Sequence, residues 1–184
     1  MLIIKEINFN YYKNEILKLR KSVWEQKCLY PMQKVLNTCF YDEYDDYAYH
    51  WAAFDNDNNI AASARLSKHP NLNSLSGHQL TDDSDIAGIS FPIASLSRLV
   101  IHKSFHGQGL AERFDKERIA KAKQLECNAV CIITYGQRTK KIMDDGFEAF
   151  HSSILTSVFK TEIENKRLLP LAFYYKGFGS AETV

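Results

Sequence analysis

The chain contains no apolar run approaching the roughly 18 to 20 residues that a membrane-spanning helix needs. Its start, Met1 to Glu6, is a short apolar stretch without a basic leader or a cleavage pattern. Neither a spanning helix nor a secretory signal is expected, and the chain reads as cytoplasmic. Cysteine is scarce as well. Cys28, Cys39, Cys127 and Cys131 show no CxxC spacing and no neighbouring His pair in metal-ligand register. The spacing gives little support to zinc or redox chemistry, no metal is expected, and the thiols should be reduced and structural, with Cys127 and Cys131 on one face of a strand. Net charge is almost absent, +1 with 23 Lys and Arg against 22 Asp and Glu. Duplex nucleic acid and a charged membrane surface are therefore not expected partners. Internal repeats and low-complexity linkers are missing too.

What remains is an ordinary globular composition, 45% hydrophobic and 24% charged over 184 residues. That length suits one domain with a sizeable core, or two small ones at most. The charge is unevenly spread: residues 98–141 hold ten Lys or Arg against four acids, and the preceding 97 residues hold nine against twelve. A basic middle segment in a near-neutral chain suits a small polyphosphate ligand, although a solvated helix face would look similar.

Leu2 to Ile7 reads as a strand, and Tyr12, Ile16, Leu19 and Val23 then recur at helical spacing. Pro31 ends or restarts that helix, with a second short helix around Met32 to Phe40 and a loop over Tyr41 to Tyr47. The segments Tyr47 to Asp55 and Ile60 to Lys68 flank the polar run Asn56 to Asn59, a hairpin signal. From His69 to about Phe91 the chain lacks periodicity, as a functional or flexible loop does. Ile93 to His102 reads as a strand, and Gly109 to Glu126 as a helix whose apolar face is Leu110, Ala111, Phe114, Ala122 and Leu125, with Arg118 intruding. Ala129 to Thr134 is a short buried strand and Gln137 to Asp145 a helix stopped by Gly146. Further strands follow around Phe147 to Phe159 and Leu171 to Lys176. This order predicts one α/β domain with a mixed sheet over residues 1–184.

A strand ending at His102, a turn, and the run His106, Gly107, Gln108, Gly109, Leu110, Ala111 opening an amphipathic helix form a recognisable physical object. The first amides of a helix have no intrahelical partner and sit at the positive end of its dipole, and glycines let phosphate oxygens approach the backbone. The object is an anion site; a plain strand-to-helix turn is the alternative.

This segment resembles the pyrophosphate-binding motif of the GNAT superfamily of acyl-CoA-dependent N-acyltransferases: Gln or Arg, two variable residues, Gly, one variable residue, and Gly or Ala. His106 takes the Gln/Arg place, Gly109 and Ala111 match the last two fixed positions, and Asp145, Gly146 and Phe147 stand at the expected later position. A weaker likeness to the branch containing acyl-homoserine lactone synthases rests on Leu19, Arg20, Val23, the acidic run Asp42 to Asp46, Arg65, Leu66, and Leu96, Ser97, Arg98. The resemblance implies a GNAT-like α/β (α+β) fold, a mixed, mostly antiparallel sheet flanked by helices. It implies acetyl-CoA or another acyl-CoA as donor, bound through His106 to Ala111 and the backbone of Leu99, Val100 and Ile101. A fixed N–H there would polarise the thioester carbonyl, an effect on the order of 3 kcal/mol per donor in comparable sites. The acceptor would be an amine on a small molecule or a protein, and a homodimer is compatible with the family. The alternatives are a longer-chain acyltransferase of the acyl-homoserine lactone synthase type and a non-catalytic acyl-CoA-binding module.

Two positions depart from the family pattern. The glutamate base customary three residues before Arg98 is Ser95, and the tyrosine acid customary four residues before the Gly-Phe pair is Ile142. A base would have to come from Asp42 to Asp46, Asp83, Asp85 or a histidine, or the amine would arrive neutral. Arg98 and Tyr135 are the weak catalytic candidates. Arg98 would bind an acceptor carboxylate or pair with an acidic neighbour, and Tyr135, Tyr174 and Tyr175 would replace the missing acid or simply pack. His50, His102 and His151 read as strand histidines in satisfied positions.

Overall fold

A computed structural model of the chain describes residues 2–27, 40–75, 89–135, 139–150 and 171–179. Seven strands and three α-helices are described: β1 Ile3–Ile7, α1 Phe9–Lys27, β2 Tyr49–Phe54, β3 Ile60–His69, β4 Ile93–Ile101, α2 Leu110–Gln124, β5 Ala129–Tyr135, α3 Thr139–Asp144, β6 Glu148–Phe150 and β7 Leu171–Gly177. They form an α/β fold with one mixed sheet in the order β1-β2-β3-β4-β5-β7-β6. Contacts group the chain into two units, Met1–Ser67 with Leu96–Ala120, and Lys68–Ser95 with Lys121–Val184.

In the first unit β1 and β2 pair antiparallel from Ile3↔Phe54 to Ile7↔His50, and β2 and β3 from Tyr49↔Leu66 to Phe54↔Ile60. The β2–β3 turn closes as its polar residues dictate: the Asp55 carboxylate accepts the Asp57 and Asn59 amides at 3.0 and 2.8 Å, and Asn58 takes a left-handed φ of 62°. The buried stripe of α1 comprises Ile16, Leu19 and Val23, as its spacing predicts, and also Arg20, fully buried among them. Leu19 and Val23 pack with Val100 of β4. The expected loop over Tyr41 to Tyr47 instead contains a 3-10 helix, Glu43–Asp46, because Asp42 caps it: its carboxylate accepts the Tyr44 amide and its own amide donates to the Asp45 side chain. Arg118 on α2 does not break the apolar face. It is buried there, and its guanidinium donates to the carbonyls of Arg65 and Ser97 at 3.0 and 3.2 Å and to Asp115.

In the second unit β4 pairs in parallel with β5 over Ile93↔Ala129 to Ser95↔Cys131, and β4 continues past this register to Ile101. β5–β7 and β6–β7 are antiparallel. Leu75, Ile93, Ala129 and Cys131 form a core cluster. α3 ends in a six-to-one closure, with Gly146 at φ 82° and the Phe147 amide donating to the Ile142 carbonyl at 3.2 Å. The same closure ends α2 and corrects one expectation. Glu126 is left-handed at φ 56° and the Cys127 amide donates to the Ala122 carbonyl, so Cys127 belongs to the helix stop, and the strand carrying Cys131 begins at Ala129. Both thiols are free and buried. The predicted short helix after Pro31, Cys28, Cys39, Asp83, Asp85, His151 and the strand residues beyond Phe150 to Phe159 lie outside the described residues. Among the described residues no helix is long and apolar enough to cross a membrane.

Candidate functional site

β4 runs out at Ile101, and His102 caps a 3-10 turn, Lys103–Phe105, its Nδ1 accepting the Ser104 amide at 3.4 Å. His106 follows. Its Nε2–H donates back to the Ile101 carbonyl at 3.1 Å, which fixes the turn against the end of the strand. Gly107 and Gly109 hold φ of 78° and 69°, conformations an L side chain rarely adopts, and a Cβ built on either meets nothing within 4 Å. The Gly109 carbonyl accepts the Arg113 amide at 3.1 Å, the first turn of α2, so the amides of Leu110 and Ala111 precede the first intrahelical bond. The Leu110 side chain is buried while His106, Gly107, Gln108 and Gly109 are exposed. Two left-handed glycines with open space before the positive end of a 15-residue helix suit a pyrophosphate in shape and charge. Leu99, Val100 and Ile101 lie on β4 immediately upstream.

Arg98, within β4, has φ 54° without being glycine. Its guanidinium pairs with Asp42, and so does that of Arg65. Arg65 also contacts Asp45 at 3.1 Å and donates from Nε to the Ser97 hydroxyl at 3.0 Å. Arg20 closes the set, donating to both Asp45 carboxylate oxygens at 3.0 and 2.9 Å and to the Phe40 carbonyl at 2.8 Å. Burial pushes Arg20 down to about 10, against the pull of Asp45, and it stays charged at neutral pH. For Asp42, burial works upward, but the hydrogen bonds and charges of Arg65 and Arg98 outweigh it and hold the carboxyl below the usual range. Of the alternatives open for Arg98, the ion pair with an acidic neighbour is the one observed.

This network removes Asp42 and Asp45 from the candidates for a base, since each carboxylate is committed to arginines. Asp46 accepts the Tyr41 hydroxyl, a bond that holds the phenol up at about 12. Ser95 is buried opposite Cys131, whose thiol is pushed up to about 12 by burial against a smaller opposing effect of the Ser95 hydroxyl. A glutamate at 95 would therefore enter a desolvated position and raise its own pKa. Ile142 packs in the core at 2% exposure, as Tyr174 does, while Tyr175 is half-buried with burial raising its hydroxyl. Tyr135 ends β5, and its side chain lies outside the described part. Arg20, a charged residue on an otherwise apolar helical stripe, is the signal by which the network could have been found; sequence reasoning placed its members without connecting them.

His50 lies under the network, stacked on Phe9 at 4.3 Å, with Nε2–H donating to the Asp45 carbonyl at 3.1 Å. Burial first, then the charge of Arg20, pushes it down from 6.5 to about 4. The folded protein thus keeps this ring neutral while the unfolded chain takes up a proton below about 6.5, so stability falls as pH drops from 6.5 towards 4. Between pH 6.5 and 5.5 the expected loss is about 1 kcal/mol. Denaturant melts should show it in the wild type and not in His50→Gln; parallel losses in both would remove His50 as the cause.

Residues 13–140 match the model described as the acetyltransferase (GNAT) family. No curated protein sequence matches the chain. Among solved structures, a GNAT-family acetyltransferase from Staphylococcus aureus Mu50 is 16% identical with a TM-score of 0.63, the match covering 96% of this chain and 99% of that one. FeeM, an N-acyl amino acid synthase from uncultured soil microbes, is 9% identical with a TM-score of 0.69, covering 96% and 91%. The NatC complex bound to Gag peptide and CoA supplies a chain 11% identical with a TM-score of 0.63, covering 96% and 98%. At these identities the likeness is one of fold.

Proposed function

Because the chain belongs to the GNAT acetyltransferase family, a class of acyl-CoA-dependent N-acyltransferases, we propose that it transfers an acetyl group from acetyl-CoA to an amine of a small molecule or a protein by direct attack in a ternary complex. The observation that carries this reading is the open, double-glycine turn from His106 to Ala111 at the start of α2. Its amides and glycines would hold the pyrophosphate, and the backbone of Leu99, Val100 and Ile101, beyond the register shared with β5, would hold the pantetheine and the thioester carbonyl. The donor supplies an activated thioester whose thiol, with an ordinary pKa near 8.5, leaves without an obligatory acid. That suits a chain whose position for the acid is the core residue Ile142. The protein's own work is to bind the donor, to present a fixed N–H to developing charge, and to take an amine that is already neutral or loses its proton to water. Arg98, which pairs with Asp42, and Tyr135 are the side-chain candidates for a catalytic role. The activity is assigned to one domain over residues 1–184, working in the cytoplasm on an amine acceptor, with a homodimer compatible.

A second reading, a longer-chain acyltransferase of the acyl-homoserine lactone synthase type, is favoured by one observation: Arg20, Asp42, Asp45, Arg65 and Arg98, on which that likeness rests, assemble into one network. The third, a non-catalytic acyl-CoA-binding module, draws on Ser95 and Ile142 being buried. A panel of acyl-CoAs of increasing chain length with amine acceptors, read by release of free thiol, separates them. Fastest turnover with acetyl-CoA is the expected result; long-chain preference supports the second reading, and binding without turnover the third.

A further inference from the structure

We propose that Asp42 is a positioning residue for the acyl donor: by clamping Arg98 it holds β4 in a left-handed kink that sets the direction of the Leu99–Ile101 backbone. This rests on the donor site proposed above, and it assigns to the buried network a task within that site. A non-glycine residue at φ 54° in the middle of a strand is disfavoured by its Cβ, and such a residue persists where its surroundings over-determine it. Here they do. Just before the kink, the Ser97 hydroxyl accepts from Arg65 and the Ser97 carbonyl accepts from Arg118. At the kink, the Arg98 guanidinium is held by Asp42. Beyond it, the His102 amide donates to the Ala61 carbonyl at 2.9 Å.

Asp42 can act as the clamp because it is itself immobilised. Its carboxylate is the cap of the Glu43–Asp46 helix, its amide donates to the Asp45 side chain at 3.1 Å, and Arg65 grips both of its oxygens. A left-handed residue reverses the pleat at one point, so the peptides that follow turn away from the direction an unbroken strand would give them. Those peptides are Leu99, Val100 and Ile101, whose N–H and C=O groups the donor would use. Were Arg98 released, it would relax to an extended conformation and carry those groups with it.

The test compares substitutions that remove the same guanidinium but differ in their tolerance of a left-handed backbone. CoA affinity is measured by titration calorimetry on the full chain for the wild type, Asp42→Asn, Arg98→Ala, Arg98→Gly and the double variant Asp42→Asn with Arg98→Gly, each checked by a melting curve. Arg98→Ala and Asp42→Asn should bind CoA about tenfold more weakly than the wild type, and Arg98→Gly about tenfold more tightly than Arg98→Ala, because glycine keeps the kink without a clamp. The double variant should recover what Asp42→Asn loses. If Asp42→Asn does not fold, the alanine and glycine pair carries the comparison alone. Equal weakening in both Arg98 variants, or a double variant as weak as Asp42→Asn, would overturn the clamp while leaving the donor site standing. A wild type that does not bind CoA would overturn the donor site and the clamp with it.

Discussion

Asp45→Ala is expected to lower the stability of the folded chain by about 3–5 kcal/mol, a large share of the 5–15 kcal/mol that holds a typical domain together. The carboxylate and the Arg20 guanidinium are both fully buried, and Arg65 reaches one of the same oxygens, Oδ1, at 3.1 Å. Removing Asp45 strips two buried cations of a shared counter-ion and takes from Arg20 the interaction that opposes its desolvation. The pair contributes little compared with well-packed apolar residues, yet a half-pair is costly, because its charge has no water to turn to. Denaturant titration gives the number directly. A change below about 1 kcal/mol would place the pair in the class of solvated surface bridges and refute its burial.

Gly109→Glu is expected to abolish the stabilisation that CoA confers. A ligand that binds only the folded state adds about 2.7 kcal/mol at a hundredfold excess over Kd, a rise that a thermal melt resolves readily. Position 109 is left-handed and faces open space, so the substitution strains the turn and sends a carboxylate where phosphate oxygens would lie. Gly109→Ala carries the strain without the charge and should lose less. Melts of the wild type and both variants with CoA, adenosine and ATP make the comparison. An equal CoA-dependent rise in wild type and Gly109→Glu would show that the turn is not where the donor binds.

Local pattern made most of the architecture legible. The apolar spacing of α1, the Asn-rich β2–β3 turn and the stop at Gly146 each depend on interactions within a few residues, and each element stands where the pattern puts it. The turn before α2 was legible for the same reason, since Gly107 and Gly109 are required by its backbone whatever surrounds them. What stayed hidden depends on partners distant in sequence. Arg98 read equally well as an acceptor contact or a structural pair, because Asp42 lies 56 residues away. Asp42 and Asp45 read as spare bases on a loop, because nothing local reveals that Arg65 and Arg20 reach them. Cys127 was misplaced by a single turn: a left-handed Glu126 looks in sequence like one more helical residue.

The arginine and aspartate network has an evolutionary consequence. Asp45 is shared by Arg20 and Arg65, and Asp42 by Arg65 and Arg98, so no member can be exchanged without altering the background in which the next is judged. Substitutions that share partners couple by roughly 0.5–3 kcal/mol in either sign, so charge reversals acceptable in combination would pass through unstable single steps. In a laboratory library selected for a new acceptor, these five positions should stay nearly invariant, and the adaptive changes should gather in segments that bear no part of this shared charge.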